Sequence, residues 1–263
     1  MKFRTTFVPI VLSAFLLFFA SYAASADDSA KGSQSLEQAA SDPTASLMSL
    51  QLQNLFVGDY HNLDDESSNT IQLRSAIPFM LGGLSNIARV TLPFVTHGPN
   101  GSGLGDMTLF DLVAFDQSWG RWGVGPVLLL PTGKDGISAE KWAIGPALGF
   151  AARRPGLLWG LFNQNLFSFA GDGDQDVRVS IIQPILNYSL PDKWSIGTSE
   201  MNFTYDWEKK AWTALPLGVK VAKLTKFGSV PVQFIGSYEY NFADDYVAPK
   251  WTLSFTLKFL FPL

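Results

Sequence analysis

The sequence predicts an all-β fold, an antiparallel up-and-down β-barrel of about twelve strands that crosses a membrane. The chain of 263 residues is 47% hydrophobic and only 16% charged. After the N-terminal region, no apolar stretch approaches the ~20 residues that a membrane-spanning helix requires. Segments of roughly ten residues instead carry apolar side chains at alternate positions, which is typical of strands with one face toward lipid and the other toward a polar interior.

The first predicted element along the chain is an export signal. Lys2 and Arg4 precede an apolar run, which is followed by small residues. This pattern predicts a secretory signal peptide, residues 1–26, cleaved between Ala26 and Asp27. An uncleaved anchor helix is the alternative. The sequence contains no cysteine, which excludes a lipoprotein signal, disulfide bonds and cysteine-based metal sites.

Residues 27–47 form a separate segment ahead of the barrel. The segment is rich in Ser, Ala, Asp and Gln, and Ser35 and Gln38 are spaced to cap a short helix that continues to Ala40. Two interpretations remain open: a periplasmic tail, or a short plug helix in the mouth of the barrel. The mobile tail is the simpler of the two.

The barrel itself is predicted to extend over residues 48–263. Turn residues divide it into an even number of segments, as expected for a bacterial single-chain barrel. With both chain termini in the periplasm, the longer and more acidic connections lie outside the cell. The predicted strands are 48–57, 69–80, 86–96, 106–116, 121–131, 142–153, 157–170, 176–190, 194–207, 211–222, 228–241 and 250–261.

The last of these segments shows the alternation most clearly. Its apolar and polar side chains occupy opposite faces, and Pro262 and Leu263 follow the final phenylalanine. This pattern suits the C-terminal signal that the barrel-assembly machinery recognises. The apolar face consists of Trp251, Leu253, Phe255, Leu257, Phe259 and Phe261.

Tryptophan and proline give two further expectations. All eight tryptophans lie within or beside the ends of predicted strands, which predicts two aromatic girdles at the membrane surfaces. Prolines inside strands cannot donate a hydrogen bond to a neighbouring strand, so we expect bulges or kinks there. These prolines are Pro78, Pro93, Pro126, Pro146, Pro184, Pro216 and Pro231.

Charge and composition exclude several classes of function. The formal charge of -4 and the pI near 5.2 argue against nucleic-acid binding, which requires a basic surface. The two histidines, His61 and His97, fall in predicted outer loops without a serine or carboxylate at a spacing typical of hydrolases. We therefore predict no enzyme, no cofactor and no metal site.

Polar positions on the inner faces of the strands are the candidate functional residues. Alternation places both charge signs in the lumen, with Arg74, Asp111 and Glu200 near mid-depth. This mixture predicts either a polar constriction that filters solutes or a salt-bridged network that closes a narrow barrel. The other predicted lumen residues are Arg89, Asn163, Asn165, Arg178, Gln183, Asn202, Lys220, Glu239 and Lys258.

Seven short motifs follow one another along the chain: SLMSLQLQN (46–54), GLGD (103–106), WGVGPVLLLPT (122–132), KWAIGP (141–146), SFAGD (168–172), TYDWE (204–208) and FLFP (259–262). Together they resemble the outer-membrane transporter family labelled "MetA-pathway of phenol degradation", whose members are often misnamed neuromedin U. The resemblance runs from about residue 43 to the end of the chain. It implies a barrel for uptake or export of small aromatic or hydrophobic compounds, and it identifies no functional residue.

These observations predict a channel in the outer membrane of a Gram-negative bacterium for small hydrophobic or aromatic solutes. Its expected partners, besides the solutes, are outer-membrane lipid, lipopolysaccharide and the barrel-assembly machinery. A closed structural or surface-interaction barrel without transport activity is the alternative.

Overall fold

The computed structural model describes residues 34–262. The predicted signal peptide and its cleavage site between Ala26 and Asp27 lie outside these residues. Within residues 34–262, no helix has the length and apolar character needed to cross a membrane. The elements are α1 (Leu36–Ala40), β1 (Met48–His61), β2 (Ser68–Leu81), β3 (Leu84–His97), β4 (Gly103–Leu104), β5 (Met107–Gln117), β6 (Gly120–Leu130), β7 (Lys141–Arg154), β8 (Leu157–Gly171), β9 (Arg178–Ser189), β10 (Trp194–Thr198), β11 (Phe203–Asp206), β12 (Ala211–Ala214), β13 (Pro216–Phe227), β14 (Val230–Asn241) and β15 (Ala248–Phe261).

The strands form one closed antiparallel barrel. Neighbouring strands pair around the wall, and the last strand, β15, pairs with the first, β1, with Met48 opposite Phe261. Strand β9 pairs with β10 along one part and with β11 along the other, so β10 and β11 are halves of one interrupted strand. The same holds for β12 and β13. With each interrupted strand counted once and the two-residue β4 set aside, the barrel has twelve strands, which confirms the predicted fold class.

The two ends of the barrel differ in the length of their connections. At the end where Met48 and Phe261 meet, the hairpin connections contain two to four residues. At the opposite end they contain four to ten residues. We call these the short-turn end and the long-loop end. The tryptophans divide equally between them: Trp119, Trp122, Trp159 and Trp194 lie at the short-turn end, and Trp142, Trp207, Trp212 and Trp251 at the long-loop end.

The alternation of β15 appears in the structure as two chemically different faces. Leu253 and Phe255 are about half exposed on the outside, whereas Ser254, Thr256 and Lys258 line an interior cavity. The outer surface carries further exposed apolar side chains along most strands, as a lipid-facing wall requires. Examples are Leu52, Ile71, Phe94, Val124, Leu148, Leu161, Leu186 and Val221.

Two prolines interrupt the hydrogen-bond ladder near the middle of the wall. Pro126 of β6 lies opposite Pro146 of β7. Pairing between β5 and β6 is absent from Asp111 to Leu112, and pairing between β7 and β8 is absent around Pro146. The side-chain amide of Asn165 donates a hydrogen bond to the carbonyl of Pro146 at 3.1 Å. A side chain thus supplies a donor where the proline-containing ladder is open.

One side of the interior is filled with apolar side chains. The barrel lumen behind β5 to β8 contains a cluster of buried residues: Phe110, Leu112, Val127, Ala143, Ala147, Phe162 and Leu166. Alanines at the inward positions of β7 leave room for the two phenylalanine rings, whose centroids are 5.3 Å apart. Apolar side chains thus fill part of the lumen behind these four strands.

Glycine beside the prolines lets neighbouring backbones approach closely. A Cβ atom on Gly145 would lie 1.9 Å from the main-chain oxygen of Asn165. We expect Gly145→Ala to reduce the free energy of unfolding by about 1–3 kcal/mol, because the backbone must shift. Urea unfolding followed by tryptophan fluorescence measures this change. The matched control is Gly236→Ala, whose Cβ would have no atom within 4 Å; a loss as large in the control would contradict the steric explanation.

Candidate functional site

A break in the wall between β10 and β11 carries an acidic side chain into the lumen. Ile196 is exposed on the outer face, so uninterrupted alternation would also place Glu200 outside. Instead Ser199, Glu200 and Asn202 line the interior cavity, and Met201 has a positive φ of 35°. The four residues between the two half-strands therefore form a turn that directs Glu200 inward.

Glu200 forms an ion pair that spans the lumen. Arg74 of β2 donates from Nη1 to Oε1 of Glu200 at 2.5 Å and from Nη2 to Oε2 at 3.2 Å. Its Nη2 also donates to Gln72 Oε1 at 2.7 Å. Four strands separate β2 from β10 along the wall, so the pair connects nearly opposite sides of the barrel. This bidentate geometry holds both side chains in one orientation.

The backbone of the wall break is held by a second acid. Glu239 of β14 accepts a hydrogen bond through Oε1 from the main-chain nitrogen of Met201 at 3.1 Å. Because a backbone N–H that leaves a strand ladder needs another acceptor, Glu239 stabilises the turn that presents Glu200. Its role in the site is therefore to position Glu200.

Three further cations point into the same lumen. Arg89 lies over the ring of Phe110, with Cζ 5.0 Å from the centroid, and donates weakly to the carbonyl of Pro43 at 3.4 Å. Lys258 donates to the carbonyl of Ala40 at 2.5 Å. Lys220 lines the cavity without an ion pair among the residues that the structure describes. The lumen centre thus carries more positive than negative charge.

A cavity of about 200 Å³ lies at this level of the barrel. One wall is polar and is formed by β13 to β15 and β1 to β3; the other, formed by β5, β8 and β9, carries Phe110, Phe162 and Ile185 beside the uncharged polar Gln164 and Gln183. Ala40, Ser41, Asp42 and Pro43 close the cavity toward the short-turn end. The cavity is small compared with the ~300–1,000 Å³ that is usual for drug-sized ligands.

Residues 34–47, the N-terminal segment, pack inside the barrel wall at the short-turn end. Asp42 is the centre of its polar contacts, because Oδ1 accepts from the backbone and hydroxyl of Thr44 at 2.8 and 2.7 Å. Its Oδ2 accepts from Arg153 Nε at 2.7 Å and from Gln34 at 3.0 Å. The side chain of Asp42 is completely buried.

Other contacts anchor the same segment to several strands. Gln38 donates to the carbonyl of Arg154 at 2.9 Å, and Arg121 donates to the carbonyl of Thr44 at 2.8 Å. An apolar cluster joins Ala40, Ala45 and Leu47 of the segment to Leu224 and Leu260, which face inward from β13 and β15. The segment therefore occupies the mouth of the barrel at this end.

The structure places most of the predicted lumen residues around this cavity. Glu239 lies on the lumen side beside them, bonded to the wall break. The predicted residues that line the cavity are Arg74, Arg89, Gln183, Glu200, Asn202, Lys220 and Lys258.

Four residues that the alternation placed in the lumen face outward instead: Asp111, Asn163, Asn165 and Arg178. Asp111 lies between Phe110 and Leu112, which belong to the interior cluster. Asn163 and Asn165 alternate with Phe162 and Gln164, which line the cavity. Arg178 pairs in register with Phe167, which is exposed on the outer face.

The placements of Asp111, Asn163 and Asn165 were wrong because strands β5 and β8 carry apolar side chains on both faces, so polarity does not reveal which face is inside. The two asparagines have a structural role on the outer side. Asn163 donates to the carbonyl of Ile181 at 3.2 Å, and Asn165 bonds Asn163 at 2.6 Å and the hydroxyl of Ser180 at 2.5 Å. They satisfy backbone and side-chain groups next to the proline-interrupted ladder.

Arg178 belongs to a charged cluster at the long-loop end. Its Nε lies 2.9 Å from Glu208, and its Nη2 lies 3.5 Å from Asp176. Hydrogen bonds from Lys141 and Ser168 lower the pKa of Asp176 below its ordinary value. These pairs are largely exposed and join loop ends, so they lie apart from the lumen.

Several residues on the lumen side were not predicted from the sequence. Gln233 and Ser237 lie on the same face of β14 as Glu239, so alternation along this strand could have identified them. Gln72 shares a face of β2 with Arg74 and could have been found in the same way. The contacts of Asp42 with Arg153 join residues far apart in sequence, and no local pattern indicates them.

Neither histidine is arranged for hydrolysis with a serine among the described residues. The Nε2 atom of His61 lies 2.8 Å from the carbonyl oxygen of Asn241, and its ring contacts Tyr240 edge to face. Within residues 34–262, no group of three or more His, Cys, Asp or Glu side chains is placed to hold a metal ion.

Comparison with known proteins supports the fold through solved structures alone. No protein-family model and no curated protein matches the chain. It is similar to the COG4313 outer membrane channel from Pseudomonas putida F1, with 15% sequence identity and a TM-score of 0.59 over 84% of this chain and 98% of that one. Outer membrane phospholipase A from Escherichia coli matches with 10% identity and a TM-score of 0.42 over 85% and 95% of the two chains, too distant to carry an argument. The first likeness shows a shared barrel fold.

The ion pair across the lumen predicts a measurable effect on stability. Arg74→Ala leaves Glu200 without its cation, so we expect the free energy of unfolding to fall by about 2 kcal/mol. Exchange of the two charges, Arg74→Glu with Glu200→Arg, should restore part of this loss. Arg178→Ala removes exposed pairs and should change the free energy by less than about 1 kcal/mol. Urea unfolding in detergent measures all variants, and equal losses for Arg74→Ala and Arg178→Ala would contradict the lumen-spanning pair.

Proposed function

We propose that the chain is an outer-membrane channel for small solutes with a hydrophobic or aromatic part. The observation that carries this proposal is the lumen cavity, in which a charged wall faces one that carries Phe110, Phe162 and Ile185. A solute with both kinds of surface would satisfy both walls at once. The shared fold with the COG4313 outer membrane channel supports the same location and class of activity.

In this proposal the short-turn end faces the periplasm, and the N-terminal segment acts as a plug there. The Arg74–Glu200 pair narrows the lumen above the plug. Large polar solutes are therefore excluded, because a twelve-stranded barrel with a filled interior is far narrower than the sixteen- to eighteen-stranded porins.

A closed barrel without transport is the second candidate. It is favoured by the same ion pair and by the buried contacts of Asp42, which together obstruct the lumen. The two candidates differ in what happens when the plug is loosened. A channel should then conduct better, whereas a closed barrel should only lose stability.

Planar-bilayer conductance and liposome swelling with sugars of increasing size test the channel. We expect small single-channel currents and swelling with only the smallest solutes. A deletion strain should take up labelled aromatic solutes more slowly than its parent. A protein that conducts nothing, together with unchanged uptake by the deletion strain, would overturn the proposal in favour of the closed barrel.

Asp42→Ala provides the sharpest single substitution. It removes every polar contact of the Asp42 side chain with Arg153, Thr44 and Gln34, so the plug should leave the barrel mouth more often. We expect the mean single-channel conductance to rise roughly twofold or more, since a constriction controls flux. Asp245→Ala, in an exposed loop, makes the same charge change and should leave conductance unaltered. A rise of equal size in both variants would indicate a charge effect and not plug release.

A further inference from the structure

The charges around the lumen cavity do not balance. Four cations line it, Arg74, Arg89, Lys220 and Lys258, against two carboxylates, Asp42 and Glu200. Both carboxylates are already engaged: Asp42 with Arg153 at 2.6 Å, and Glu200 with Arg74 at 2.5 Å. Three cations therefore face the cavity without an ion-pair partner among the described residues.

Some polar side-chain atoms around the cavity also lack hydrogen-bond partners among the described residues. The Nε atom of Arg89 is shielded and has no hydrogen-bond partner. Gln233 is only 1% exposed, and neither its amide nitrogen nor its carbonyl oxygen has a partner within residues 34–262. Because shielded polar groups without partners are costly, a polar ligand in the cavity would gain by supplying the missing partners.

The opposite wall of the cavity suits an apolar ring. Phe110 and Phe162 line it, and the Arg89 guanidinium lies over the face of Phe110 where the two kinds of wall meet. The size of the cavity agrees with a ligand of one ring, because an apolar cavity of about 150 Å³ holds benzene. The remaining volume of the cavity, which is about 200 Å³ in all, is sufficient for one small charged group.

We propose that this cavity is a binding site for a small aromatic carboxylate, with the carboxylate toward Arg89, Lys220 and Lys258 and the ring against Phe110 and Phe162. The inference rests on the proposed channel function for its biological meaning, since it names the class of solute. The binding itself depends only on the cavity.

Calorimetric titration of the full-length barrel in detergent micelles tests the site with three probes: sodium benzoate, benzamide and sodium acetate. We expect benzoate to bind at least tenfold more tightly than benzamide, which lacks the charge, and than acetate, which lacks the ring. Equal binding of benzoate and benzamide, or no binding of benzoate, would overturn the anionic site. Equal binding of benzoate and acetate would overturn the aromatic part.

Lys220→Met identifies the cavity as the location of binding. Lys220 makes no hydrogen bond or ion pair with a described residue, so its removal should spare the fold, which heat-modifiable gel migration checks. We expect benzoate affinity to fall about tenfold. Lys226→Met, on the exposed end of the same strand, is the matched control and should bind normally. Equal affinities of the two variants would place binding elsewhere and contradict the proposal.

The same experiments separate this inference from the channel function. If the protein binds benzoate but neither the wild-type barrel nor the Asp42→Ala variant conducts, the binding site stands and the channel function is overturned. If the protein conducts but binds benzoate no more tightly than benzamide and acetate, the binding site is overturned and the channel function stands.

Discussion

Hydrocarbon supplies no hydrogen bonds, so every backbone N–H and C=O group at membrane depth must find its partner within the barrel wall. This constraint explains the polar side chains on the outer face of β8. Pro126 and Pro146 remove donors from adjacent strands at the same level, and Asn165 donates to the carbonyl of Pro146. Thr198 similarly bonds the carbonyl of Pro184 at 3.3 Å and the nitrogen of Leu186 at 3.0 Å. The outward asparagines of β8 complete the wall and do not form a solute path.

Backbone groups on the lumen side must also find hydrogen-bond partners, and here side chains of the interior can supply them. A strand can leave the ladder on the lumen side because lumen groups accept the released backbone N–H. The break after β10 is possible because Glu239 accepts from Met201 and because the carbonyl of Gly218 accepts from Ser199. The break in turn directs Glu200 toward Arg74. The ion pair that narrows the lumen is thus a consequence of how the wall is completed.

The fold was predictable from the sequence, and the site was predictable only where one face of a strand is polar. In β15 the polar face carries Lys258 and the outer face is apolar, so alternation identifies the lumen side correctly. In β8, Phe162 faces inward and Leu161 faces outward. Because both faces carry apolar side chains, alternation cannot show which face is the inner one. Glu200 does face the lumen, as alternation predicted, but the wall break that turns it inward and the packing of residues 34–47 depend on contacts between distant segments, which no local periodicity encodes.

The acceptors that the lumen cations now use explain why the cavity favours an anion over a neutral solute. Lys258 and Arg89 donate to the main-chain carbonyls of Ala40 and Pro43, which are neutral. A carboxylate would add a direct charge–charge attraction to these cations, which a neutral carbonyl does not provide. A carboxylate in the cavity would also offset the positive charge that these carbonyls leave uncompensated. Since Ala40 and Pro43 belong to the segment that closes the short-turn end, an anion that competes for their donors weakens the same contacts that hold the lumen shut.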